Sequence, residues 1–105
     1  MRRLLIIAAC AALAACATAP ANEGKGLSAA QDAVAAAAQG VHLAYTTGTI
    51  SKAQVQAAAK LVDKADDVSV AARKAYAAGD INTYNGAIAQ INTLAAQIVA
   101  LEKPQ

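Results

Sequence analysis

The chain has 105 residues, nine basic against seven acidic for a net charge of +2, and a hydrophobic content of 57% in which Phe and Trp are absent. That length leaves room for one domain. Removing Arg2 and Arg3 leaves seven basic against seven acidic residues, so a basic footprint for nucleic acid is missing, as is any interleaving of aromatics with Lys or Arg for base stacking. Much of the apolar content is alanine, which buries little area; the core must come from scattered Leu, Ile and Val with Tyr45, Tyr76 and Tyr84. The strong helix propensity of alanine offsets part of that thin core.

In chain order, the first element is an uncharged run, Leu4 to Leu13, behind Arg2 and Arg3. About ten helical residues reach half-way across a hydrocarbon core of about 30 Å, too short for a permanent span but the right length for a signal-peptide apolar region. The run ends in Leu13-Ala14-Ala15-Cys16, which resembles the lipobox of bacterial lipoprotein precursors. The resemblance implies diacylglyceryl transfer to the Cys16 thiol, cleavage between Ala15 and Cys16, and acylation of the new amine, with palmitate among the expected acyl groups. Ile7-Ala8-Ala9-Cys10 has the same local form but leaves too few apolar residues after Arg3. Ala17-Thr18-Ala19 has the form of an ordinary secretory site but is followed by Pro20. Ala17 stands where inner-membrane lipoproteins often carry aspartate, so the resemblance points to the outer membrane, facing the periplasm. With Cys10 removed and Cys16 blocked, the mature chain has no thiol for a disulfide.

This divides the chain into a signal peptide at 1–15, a lipidated flexible tether at 16–26 and a helical domain at 27–105. The tether mixes Thr, Pro, Asn and Gly without an apolar period and spans at most about 35 Å. Ser28-Ala29-Ala30-Gln31 has the form of a capping box and predicts a first helix at 28–46, with Leu27, Ala30, Val34, Ala38, Val41 and Tyr45 on its inner stripe, weakened by Gly40 and ended by Thr46-Thr47-Gly48. Ser51-Lys52-Ala53-Gln54 repeats the box, with Ile50 and Val55 placed as a hydrophobic staple. It opens a second helix at 51–78 whose stripe is Val55, Ala58, Val62, Ala65, Ser69, Ala72 and Tyr76, with Leu61, Val68 and Ala75 beside it and Gly79 at the end. A bend near Val68-Ser69-Val70 is allowed by its length. Asp80 is the expected N-cap of a third helix at 80–102, where Ile81, Tyr84, Ile88, Ile91, Ala95 and Ile98 recur at three and four, widened by Leu94 and Leu101. Ala75-Tyr76-Ala77-Ala78-Gly79-Asp80 followed by Ala87 resembles one tetratricopeptide helical hairpin, but no second copy follows at the 34-residue period of that family. The fold expected is all-α, a small alanine-rich antiparallel three-helix bundle.

No catalytic, metal or cofactor set emerges. Asp63, Asp66 and Asp67 share a helix face that could hold a divalent cation, but Lys60 and Lys64 lie among them, the pattern of a solvated mixed-charge face. His42 has no nucleophile or ligand partner at a motif spacing and is expected at the edge of the core stripe. Tyr76 and Tyr84 are expected to meet around the Gly79 turn, with tyrosine hydroxyls at the surface. The expectation is a non-enzymatic, membrane-anchored envelope lipoprotein that binds an envelope protein through its helices. Alternatives are a coiled-coil-like self-associating spacer, a carrier of an apolar ligand, and a prophage-encoded envelope lipoprotein.

Overall fold

The computed structural model describes residues 23–104, with side chains from Gly26 onward; Leu13-Ala14-Ala15-Cys16 and both cysteines lie outside the described residues. Three helices, α1 (Glu23–Thr46), α2 (Lys52–Ala77) and α3 (Ile81–Ala100), pack against one another as a three-helix bundle. The body measures 45 × 26 × 16 Å. Short connections make sequence neighbours antiparallel, so α1 and α3 run the same way. Their register is direct: a Cβ on Gly26 would meet Ile88 Cδ1 at 3.3 Å, and one on Gly40 would meet the Glu102 carboxylate. Both pairs have the same offset of 62 positions, 88 − 26 and 102 − 40.

The buried positions follow a 3-4 alternation on each helix. On α1 they are Leu27, Ala30, Val34, Ala37, Val41 and Ala44. The seam therefore runs through Ala37 and Ala44 rather than through Ala38 and Tyr45, and Tyr45 is 43% exposed. On α2 the fully buried apolar positions are all alanine, Ala58, Ala65, Ala72 and Ala75, with Val55, Leu61, Val62 and Val68 packed at their flanks. On α3 they are Tyr84, Ala87, Ile91, Leu94, Ala95 and Ile98. The bulky residues of α3 thus fill the space that small α2 residues leave, and Tyr84, Ile91 and Ile98 are the largest fully buried side chains. Large facing small is how a thin core reaches close packing.

Two tight corners orient the rods. After α1, Gly48 adopts φ +79° and its N–H donates to the Tyr45 carbonyl, while the Thr49 N–H donates to the Ala44 carbonyl. After α2, Gly79 at φ +76° repeats the arrangement, with Gly79 N–H on the Tyr76 carbonyl and Asp80 N–H on the Ala75 carbonyl. Both are Schellman closures, which need a left-handed residue where only glycine is free of Cβ strain. The helical hairpin expected at Gly79-Asp80 is thereby formed.

The first helix starts earlier than its capping-box form suggested. Ser28 lies inside α1, which is already helical from Glu23, so the expected tether loses residues 23–26 to the bundle. Close approach to α3 accounts for the extension, because Gly26 allows Ile88 to lie against the helix backbone. The Ser51 box forms as expected: the Ser51 hydroxyl accepts from the Gln54 N–H at 3.4 Å, and Gln54 Oε1 accepts from the Ser51 N–H at 2.9 Å. No break interrupts α2, and the buried Ser69 hydroxyl donates to the Ala65 carbonyl at 2.9 Å within it.

Gln54 also does something no local pattern announces. Its Nε2 donates to the Leu101 carbonyl at 3.1 Å and to the Lys103 carbonyl at 2.7 Å, closing the C-terminal end of α3 on the start of α2. One buried amide therefore serves two helix ends whose backbone groups would otherwise lack partners. Gln54→Ala is expected to cost roughly 2 kcal/mol, more than a simple cap, because it removes the partner of two part-buried carbonyls as well as of an N–H. Chemical denaturation checks this, and hydrogen exchange should show the loss concentrated at residues 98–103.

Asp80 caps α3 with both oxygens: Oδ1 accepts from the Thr83 N–H at 3.1 Å and Oδ2 from the Thr83 hydroxyl at 2.6 Å. The hydroxyl bond first, then the backbone bond, hold the carboxyl below the ordinary aspartate value. A carboxyl with a lowered folded-state pKa stabilises the fold above its unfolded value, near 4, and loses that contribution as the pH falls through the folded one. Asp80→Ala should therefore melt below wild type at pH 7, with the gap closing on acidification below about pH 4. A melting series in pH that kept the gap constant would contradict this.

Candidate functional site

The described surface divides by chemistry. On α2 the exposed side is strongly charged, with Lys60, Asp63, Lys64, Asp66, Asp67, Arg73 and Lys74 all in solvent. Interleaved signs of this kind solvate a helix. Asp63, Asp66 and Asp67 are exposed, and among the described residues no group of three candidate ligands sits together to hold a metal ion. His42 also points to solvent, not to the edge of the core where its neighbours Val41 and Leu43 suggested it; the seam turns past Val41 toward Ala44, leaving Leu43 49% exposed.

The α3 helix is different, since no residue from Ile81 to Ala100 carries a charge. Its solvent side presents Asn82, Asn85, Gly86, Ala89, Gln90, Thr93, Ala96, Gln97 and Ala100. Within that face Asn82, Gly86, Ala89, Thr93, Ala96 and Ala100 recur at four and three, the spacing of a second helical seam on the side away from the core. A helix that packs only inward is usually charged on its outer face. Here the outer face is amide, hydroxyl and methyl.

A third region is the end of the bundle formed by the α2–α3 turn. Tyr76 and Tyr84 meet there, ring centroids 5.2 Å apart and planes tilted by 52°, as their positions either side of Gly79 suggested. Their environments diverge: Tyr84 is 1% exposed and its hydroxyl oxygen is buried, contrary to the expected surface hydroxyl, whereas Tyr76 is 50% exposed. Ile81, 37% exposed, lies at the same corner.

The expected lipidation residue Cys16 and the cleavage pair Ala15 and Cys16 fall outside the described residues. No described helix is long and apolar enough to cross a membrane. No protein-family model, curated protein or solved structure matches the chain.

Proposed function

We propose that the chain is the precursor of an envelope lipoprotein, held to the membrane through Cys16, whose helical domain is a non-catalytic binding module for another envelope protein. The anchor rests on Arg2-Arg3, the short apolar run and Leu13-Ala14-Ala15-Cys16. The observation that carries the binding role is the uncharged outer face of α3. A partner helix laid along Gly86, Ala89, Thr93 and Ala96 would bury small side chains with no charge to desolvate, which keeps the cost of association low. Asn85, Gln90 and Gln97 at the margins supply amide donors and acceptors for its rim.

The same seam spacing favours a second reading, in which the partner is another copy of this chain and the protein is a self-associating spacer. A photoreactive residue in place of Thr93, activated in intact cells, separates the two. Cross-linking to a different envelope protein is the expected result; cross-linked homodimer would favour the spacer. Recovery of monomer alone under efficient labelling would contradict both. An outer-membrane, periplasm-facing location follows from Ala17 after the cysteine and is tested by fractionating the two membranes.

A further inference from the structure

We infer that the α2–α3 turn is a membrane-docking tip, which seats the bundle end-on against the lipid surface that Cys16 anchors; this rests on the anchored reading above. The geometry comes from the register of α1 and α3. With an offset of 62 between α1 and α3, Glu23 is level with Asn85. The start of α3 at Ile81 therefore projects four residues, about 6 Å, beyond the start of α1. The turn overhangs the end of the bundle from which the chain runs back to Cys16.

Only residues 17–22 separate the proposed anchor from α1, a length of chain that spans at most about 25 Å however it is arranged. The long dimension of the body is 45 Å, so the tip is held near the lipid while the α1–α2 corner is on average the far end.

The chemistry of the tip suits that surface. Tyr76 offers an aromatic ring half in solvent and Ile81 an aliphatic side chain, with exposed Ala77 and Ala78 between them. Tyrosine is favoured at the headgroup level because it has an apolar body and a polar end. Arg73 and Lys74 are both exposed in the last turn and a half of α2, one turn further from the tip, at a height where they would meet phosphate headgroups. Asp80 is the one acid in the turn, and its carboxylate, held by Thr83, stays charged, so it offsets one of the two positive charges of Arg73 and Lys74 and leaves the tip with a single positive excess. Docked in this way, the outer face of α3 stands away from the membrane and stays open along its length.

The test uses the mature, acylated protein in vesicles of phosphatidylethanolamine and phosphatidylglycerol. A single spin label is placed at Ile81→Cys or, at the opposite end, at Leu43→Cys, and its exposure to oxygen and to a water-soluble nickel chelate is measured. The label at position 81 should be shielded from nickel and open to oxygen, and the one at 43 the reverse. Adding Arg73→Gln and Lys74→Gln should reduce the docked-to-undocked ratio at position 81 by roughly fivefold per charge removed. A position-81 label as open to nickel as that at 43, on protein whose intact mass carries the acyl chains, would overturn the docking while leaving the anchor standing. Protein without acyl chains, taking up label at Cys16, would overturn the anchor and the docking together.

Discussion

Ile91→Ala is expected to remove about 3 to 4 kcal/mol of stability, the range for deleting a fully buried isoleucine from a site that does not collapse. Ile91 is wholly inaccessible at the middle of α3, and the α2 side of the core offers Ala58, Ala65 and Ala72, side chains too short to move into the gap. A domain of this size holds about 5 kcal/mol in total, so the variant should keep only about 1 to 2 kcal/mol, with roughly a tenth of the molecules unfolded at 25 °C. The same packing makes the opposite change costly: Ala72→Leu forces extra methylenes between α2 and α3, for about 1 to 3 kcal/mol. Urea melts of both variants check the pair, and an Ile91→Ala cost under about 1 kcal/mol would show that the α3 stripe is not the main support of the fold.

The second large effect is on processing. Cys16→Ser is expected to abolish incorporation of labelled palmitate and to leave residues 1–15 on the chain, because the thioether that the lipobox resemblance implies has no acceptor sulfur. Cys10→Ser should leave both incorporation and cleavage unchanged, since only four apolar residues precede Ala8-Ala9-Cys10 after Arg3. A single acyl chain gives marginal membrane binding and two or more give a stable anchor, so loss of the acceptor is an all-or-none change in attachment chemistry. Palmitate on the Cys16→Ser variant, or its loss from Cys10→Ser, would contradict the assignment.

The parts of the fold legible in the sequence are those specified locally. The Ser51–Gln54 box, the Gly79 closure and the Asp80 cap each depend on residues within a few positions, and each forms with the partners their spacing implies. The α3 stripe was legible because Ile and Leu contrast with Asn, Thr and Gln around it. On α1 the contrast is weak, since alanine occupies inner and outer positions alike; the apolar period assigned Tyr45 to the core where the structure buries Ala44. Ser28 has capping chemistry but no capping role, because packing of Gly26 against Ile88 carries the helix past it. The bonds from Gln54 to Leu101 and Lys103 span nearly half the chain and leave no mark on any local pattern. For the candidate surfaces, the absence of charge on α3 is visible in the sequence. That those uncharged residues form one outward seam needs the phase of the helix, which the core sets.

The most direct measurement is the intact mass of the protein extracted from native membranes, with its N-terminal peptide mapped. A chain beginning at Cys16 and carrying acyl groups on its sulfur and amine is the expected result. A chain beginning near Asn22 or at Met1, without acyl mass, would contradict the anchored reading.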